Sequence, residues 1–426
     1  MTDRSSAPAP PRVVVVGLGD DGWPGLPEVV RTRVRGAEVL LGSPRHLALV
    51  PQVAGQRRAP WPRPLRAGLP ALLDEHAGRR VVVLASGDPL LSGVGTTLVD
   101  LLGAAAVEVV PGVSSVALAR ARLGWSAESC AVVGVVGRDP HAVLREAVPG
   151  RRLLVLSSDE GTPGAVAGLL SSAGLGESRL TVLGHLGGAD ESRLVGTAGT
   201  WAVPTAQVPR LHVLAVEVVG APPHVLGWSA GLPDDVFEHD GQLTKRDVRA
   251  AALARLAPRP GELLWDVGAG AGSVGVEWMR AHPSCRAVAV EQHPERGARA
   301  ARNAARLGVP DLEVVRGRAP AALADLPAPD AVFVGGGATG DGVLEACRGA
   351  LRPGGRLVVH GVTLETEALL LEQYAAHGGE LTRLSVETAA PIGAFTGWAP
   401  ARAVVQWAWQ RPHDGCDQPD QPEESP

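Results

Sequence analysis

Leu263-Leu264-Trp265-Asp266-Val267 runs without a break into Gly268-Ala269-Gly270-Ala271-Gly272, and Ser273 opens a stretch of helical length. A short apolar run is a buried strand, and the glycines that follow punctuate it. The segment reads as strand, tight loop and helix, the repeating unit of layered α/β folds. The next strand, Ala287-Val288-Ala289-Val290, ends in Glu291. Glycines let backbone approach a ligand closely, and a carboxylate past the second strand can accept both hydroxyls of a ribose. Asp266, two residues before the first glycine, suits a ligand that carries an ammonium group. Together these features point to S-adenosylmethionine. Gly270-Ala271-Gly272-Ser273-Val274-Gly275 also spells the G-x-G-x-x-G fingerprint that seats a pyrophosphate on a helix N-terminus. Asp266 weighs against NAD, because a carboxylate at the strand exit repels a pyrophosphate. A glycine turn without ligand is the third reading.

The chain has 426 residues, too many for one ordinary core, so two domains are expected. In the first half, Val13–Val16 enters Gly17-Leu18-Gly19, Val81–Ala85 enters Ser86-Gly87-Asp88-Pro89, and Val107–Val110 enters Pro111-Gly112-Val113-Ser114-Ser115. Further strands are expected at 153–156, 181–184 and 211–219, with spacing that fits a parallel sheet with helical crossovers. Gly220-Ala221-Pro222-Pro223-His224 reads as a linker, since consecutive prolines extend neither helix nor central strand. Beyond it, Lys245–Leu256 is predicted as a helix with Thr244 as N-cap. Strands follow at 263–267, 287–290, 312–315, 331–334 and 356–360, and a closing antiparallel pair at 381–387 and 403–409. The fold class is α/β, with an N-terminal α/β domain over 12–220 and a Rossmann-like domain over 225–411. Residues 1–11 and 412–426 are expected to be disordered tails.

Composition narrows the partners. The formal charge is −5 without a basic run, and aromatics make up 3 %, so neither nucleic acid nor a stacking platform is expected. No run is long enough for a membrane span or a signal peptide, and the scattered cysteines favour a reducing cytoplasm, so a cytoplasmic protein is expected. Cys130, Cys285, Cys347 and Cys416 are far apart, and the histidines lack ligand spacing, so no disulfide frame and no metal site are expected. A homo-oligomer is expected.

Each half also resembles a known family. The second half, with Asp-x-Gly-x-Gly-x-Gly, then Glu291, then further strands, resembles class I S-adenosylmethionine-dependent methyltransferases. The first half resembles the tetrapyrrole methylases, through Val15-Val16-Gly17-Leu18-Gly19, Ser86–Leu90 and Pro111–Ser115. Their fusion in this order, with Phe237–Lys245 and Gly317–Pro320, resembles the precorrin-6Y C5,15-methyltransferase (decarboxylating) family of cobalamin biosynthesis, over about residues 12–411. That resemblance implies methylation of C5 and C15 of a precorrin-6 macrocycle, loss of carbon dioxide from an acetate side chain, and one S-adenosylmethionine per domain. The N-terminal half would methylate C5, and the C-terminal half would methylate C15 and decarboxylate. A cobalt-precorrin version of the same enzyme, and a methyltransferase of RNA or protein, are the alternatives.

By resemblance, Thr244, the loop Gly268, Ala269, Gly270, Ala271 and Gly272, Glu291 and the backbone at Ala319 hold the donor in the second domain. Gly17, Gly19, Gly87, Asp88, Pro89 and Ser114 line the cleft of the first. Thr244 is equally explained as a helix cap, and Asp88 as a turn residue before proline. Two departures stand out: Arg318 replaces the aspartate that reads adenine in many relatives, and Asp20-Asp21-Gly22 replaces Gly-Pro-Gly. Lys245 and Arg246 read either as a solvated helix start or as partners for substrate carboxylates. Gly335-Gly336-Gly337, after the strand at 331–334, falls where substrate meets donor in doubly wound folds.

Overall fold

The computed structural model describes residues 13–413. The expected tails, 1–11 and most of 412–426, and Cys416 lie outside the described residues. Two compact units emerge: the chain up to Val143 with Pro149–Ala221, and Leu144–Val148 with the chain from Pro222 onward. No helix among the described residues is long and apolar enough to cross a membrane.

The first unit contains two sheets. Strands β1 (Val13–Leu18), β2 (Val39–Gly42), β3 (Arg57–Pro60), β4 (Val81–Ser86) and β5 (Val107–Val110) form a parallel sheet in the order β3-β2-β4-β1-β5. Runs of valine and leucine stand at its centre because both faces are covered. Strands β6 (Ala131–Gly134), β7 (Arg152–Leu156), β8 (Arg179–Gly184), β9 (Ser192–Thr197) and β10 (His212–Glu217) form the second, in the order β6-β7-β10-β8-β9. This corrects the expectation of a parallel sheet throughout the first half. Only β6 and β7 run parallel here; β10 is antiparallel to β7 and β8, and β9 to β8. The segments between β8, β9 and β10 contain only short 3-10 turns, and a parallel crossover needs a dozen residues or more.

In the second unit every expected parallel strand is present. β11 (Leu263–Val267), β12 (Arg286–Glu291), β13 (Glu313–Arg316), β14 (Ala331–Val334) and β15 (Arg356–Gly361) are parallel neighbours. β16 (Glu380–Leu384), β17 (Glu387–Ile392), β18 (Phe395–Pro400) and β19 (Val404–Gln410) follow. The sheet order is β13-β12-β11-β14-β15-β19-β16, with β19 antiparallel to β15 and β16. The closing pair is therefore as expected, but the β17–β18 hairpin between its strands was not. Strand order reverses at β11 and β14, so a crevice opens at their carboxyl ends, where ligands bind in open α/β sheets.

A buried ion pair fixes the approach to that crevice. Arg249 is fully buried on the helix Arg246–Leu256, and its Nε donates to Glu277 Oε1 at 2.6 Å. Glu277 also accepts from the backbone of Gly231 and Leu232, while Arg249 Nη1 donates to the carbonyl of Thr244 at 2.5 Å. The pair thus ties residues 231–232 and 244 to the core. Glu277→Ala leaves the Arg249 guanidinium with only the more exposed Asp234, 3.2 Å away, and frees the Gly231 and Leu232 N–H groups, so it should destabilise the second unit by ~1–3 kcal/mol, whereas replacing both Glu277 and Arg249 with apolar residues of similar size should restore only part of the loss. Urea unfolding measures both; a loss below ~1 kcal/mol for the single variant would count against this role.

Candidate functional sites: a glycine-lined cavity in each unit

In the second unit, the loops after β11, β12 and β14 enclose a cavity of about 1100 Å³. Thr244, Gly268, Ala269, Gly270, Glu291 and Ala319, expected from sequence, all line it, as do Gly335–Gly337. Gly268 shows why glycine is needed here. Its φ is +69°, and a Cβ would stand 2.6 Å from the carbonyl oxygen of Gly336, so the two loops close on each other only without side chains. Ala271 and Gly272 are not brought to the cavity. Ala271 is buried and its carbonyl accepts from Asn303 Nδ2, while Gly272 packs towards Ala300 on the helix Pro294–Arg306.

Glu291 is the best-held polar group in this site. Only 5 % exposed, it accepts from Gly270 N–H on Oε2 at 2.8 Å and from His293 N–H on Oε1 at 2.9 Å. A carboxylate has about four acceptor positions, so two remain after these bonds. Asp266 departs from the expectation. It faces inward, accepts from Gly275 N–H at 2.9 Å and does not line the cavity. Burial, reinforced by the Glu291 charge, pushes its pKa up to about 7. Its work is to tie the end of β11 to the first turn of the helix Ser273–Ala281, across the glycine loop. Thr244 is a second correction, because Lys245 takes the N-cap position, without a side-chain capping bond. The threonine hydroxyl is left to the cavity.

Sequence reasoning did not single out His360 or Arg402, which also line the cavity. Among the described residues Arg246, Arg318 and Arg402 have no ion-pair partner, whereas Lys245 lies 3.7 Å from Asp234. Three uncompensated guanidinium groups make the rim a fit for anionic groups.

The first unit has a smaller cavity of about 310 Å³, where Gly19, Gly87, Asp88 and Ser114 meet. Gly17 and Pro89, also expected to line the cleft, do not line it. A Cβ on Gly17 would overlap the backbone of Gly87 and Gly112, and Gly87 N–H to Leu18 O (2.9 Å) and Gly112 N–H to Gly87 O (3.0 Å) lock those three loops together. Asp88 is a turn residue as well as a lining residue, since its Oδ1 accepts from Leu90 N–H. Ser114 Oγ caps the helix Ser115–Leu123 through Ala117 N–H. Asp20, in the segment that departs from the family pattern, is clamped by Arg45 at 3.0 Å and His185 at 2.9 Å.

Comparison with known proteins adds the following. Residues 12–202 match the family model for tetrapyrrole (corrin/porphyrin) methylases, and residues 235–411 match that for a precorrin methyltransferase domain. The chain is 46 % identical over 404 residues to a precorrin-6Y C(5,15)-methyltransferase [decarboxylating] of Sinorhizobium sp, covering 94 % of this chain and 97 % of the relative. It is 45 % identical to the protein of that name from Mycobacterium tuberculosis (strain CDC 1551 / Oshkosh), over 93 % of this chain and 99 % of the relative. It is 32 % identical over 173 residues to a cobalt-precorrin-6B C(15)-methyltransferase (decarboxylating) of Salmonella typhimurium, covering 40 % of this chain and 89 % of that relative.

Proposed function

The chain belongs to the precorrin-6Y C5,15-methyltransferase (decarboxylating) family, and from that premise we propose a division of labour between its two units. The enzyme methylates C5 and C15 of a precorrin-6 macrocycle and decarboxylates an acetate side chain, in cobalamin biosynthesis. S-adenosylmethionine is the methyl donor. In our reading each unit holds one donor, the first unit methylates C5, and the second methylates C15 and releases carbon dioxide. Support for pairing the last two steps comes from the Salmonella typhimurium relative, whose name unites C(15) methylation with decarboxylation in a protein matched by 40 % of this chain.

The second cavity fits the donor on its own chemistry. Gly268 and Gly270 bring bare backbone to the ligand, and the two free acceptor positions of Glu291 suit adjacent ribose hydroxyls. The donor supplies an activated methyl group when bound. The protein's task is then to align the partners and exclude water, an effect of proximity that asks for no acid–base triad. Gly335–Gly337 leave room for the macrocycle beside the donor loop. Arg246, Arg318 and Arg402 face the side-chain carboxylates that this class of macrocycle carries. The metal-free substrate is the reading adopted, because the relatives that match along the whole chain bear the precorrin name.

The observation that carries this proposal is the presence of two separate glycine-lined cavities, one in each unit. Titration calorimetry of the intact chain with S-adenosylmethionine should find two sites per chain. A single site on folded protein would refute the one-donor-per-unit reading. Mass spectrometry of the product from precorrin-6Y should show two added methyl groups and one lost carbon dioxide.

A further inference from the structure

His360 is buried on β15 at the wall of the second cavity, 8 % exposed, with its ring edge on Phe333 (centroids 4.9 Å apart, planes at 87°). Its Nε2 lies 2.9 Å from the side-chain amide of Gln406, its cross-strand partner on β19, which is fully buried. Behind Gln406 stands Arg255, from the helix Arg246–Leu256. A guanidinium only donates, so the amide must turn its carbonyl towards it, accepting from Nη1 at 3.3 Å and sharing the single Nε hydrogen, 3.1 Å away, with Glu380. The amide NH2 then faces His360 and donates to Nε2 at 2.9 Å. Arg255 is itself oriented by Glu380, whose Oε2 accepts from Nε at 2.9 Å.

This chain of bonds decides where the imidazole proton sits. Nε2 is an acceptor, so the hydrogen of the neutral ring belongs to Nδ1. Burial holds the ring neutral, pressing its pKa down to about 4. Among the described residues Nδ1 has no hydrogen-bond partner. The ring nitrogens of His76 are sealed in protein without partners; Nδ1 of His360 is not sealed in this way, and His360 lines the cavity. Glu291 ends β12 and His360 lies near the end of β15, three strand positions away in the sheet. At ~4.8 Å per strand that is about 14 Å, which places His360 across the crevice from Glu291, on the side that the functional reading leaves for the macrocycle.

We propose that Arg255 and Gln406 are positioning residues that fix His360 as the Nδ1–H tautomer, and that this N–H donates to a side-chain carboxylate of the macrocycle. The inference rests on the functional reading above and extends it by one substrate contact. A neutral donor holds an anionic side chain in register without the flexible stem of an arginine. It adds direction where the rim arginines add charge.

The test uses the full chain labelled with 15N-histidine. In the wild type the His360 signals, identified by their loss in His360→Asn, should report Nδ1–H, and the proton should move downfield when precorrin-6Y binds. His360→Asn, whose amide can donate from nearly the same place, should keep turnover within about threefold, while His360→Leu should lose about ten- to a hundredfold in kcat/KM, as for one hydrogen bond to a charged group. Gln406→Glu supplies an acceptor in place of the donor, so the ring should switch to Nε2–H and turnover should fall as in His360→Leu. This variant keeps the side-chain volume and guards against a leucine variant that fails to fold. Nε2–H in the wild type, or no shift with precorrin-6Y, or wild-type turnover in His360→Leu, would overturn the proposal. Failure of the functional reading looks different: the wild type itself would release no carbon dioxide from precorrin-6Y.

Discussion

Gly270→Arg in the full chain should release no carbon dioxide from precorrin-6Y and should add a single methyl group. Three effects act together. Gly270 has a φ of +57°, where a non-glycine residue costs about 1–2 kcal/mol. A Cβ there would stand 3.1 Å from the Gln242 carbonyl, so the loop has to give, and because Gly270 lines the cavity a long side chain at this position takes up its space. Inside the cavity its guanidinium is drawn to Glu291, which already accepts from the Gly270 N–H, and the carboxylate that we propose for the ribose becomes half of an ion pair. The donor therefore loses both its space and its anchor in the second unit. The first unit has its own loops at Gly17, Gly87 and Gly112 and its own cavity, so methylation there should continue. Product mass and trapped carbon dioxide provide the readout. Wild-type decarboxylation by a folded variant would place that step outside the second unit and reverse the assignment.

The second unit was legible because each parallel strand carries its own evidence. Runs such as Leu263–Val267 and Ala331–Val334 are apolar along their whole length, as strands covered on both faces must be, and glycine turns mark their ends. The first unit gave up its parallel sheet on the same grounds. Its second sheet did not announce itself, since direction depends on connections rather than on strand composition. β9, Ser192–Thr197, has only two apolar residues, Leu194 and Val195, and no buried one, so it escapes a search for apolar runs. The β17–β18 hairpin escapes likewise, with Ile392, Phe395 and Trp398 all pointing to solvent and no buried face to give a period. At the site, Gly268, Gly270 and Glu291 could be placed beside the cavity from local sequence, because glycine loops and strand ends mark the carboxyl edge of such a sheet. Thr244 could not be resolved, as a cap and a lining residue look alike until the helix start is known to be one residue further on. Asp266 was assigned a ligand, yet its carboxylate is spent on Gly275. His360, Gln406 and Arg255 are far apart in the chain, and only the β15–β19 register and the packing of the helix behind β19 bring them together.

Glu291→Ala should weaken donor binding in the second unit at least tenfold while leaving the first unit's site intact. Two ribose hydroxyls bonded to a buried carboxylate would lose ~1.5–3 kcal/mol each, and loss of either one suffices for a tenfold change. The same substitution frees the Gly270 and His293 N–H groups, so the loop loses order as the ligand loses its acceptor. A second consequence separates this role from that of a passive strand-end charge. Burial, with the Glu291 charge adding to it, holds the Asp266 pKa at about 7, against an ordinary value of ~3.9. An acid whose pKa is raised by folding contributes stability that is complete below the unfolded pKa and lost as pH climbs through the folded one. The wild type should therefore lose stability from this group between about pH 4 and pH 7. Without Glu291 the Asp266 pKa falls, and that loss becomes smaller and ends at lower pH. Glu291→Gln, which removes the charge but retains one acceptor, should relieve Asp266 as fully as alanine yet bind the donor better than alanine does. Calorimetry at the second site and unfolding across that pH range give the two readouts. Unchanged donor affinity in a folded Glu291→Ala would show that the carboxylate serves the loop alone.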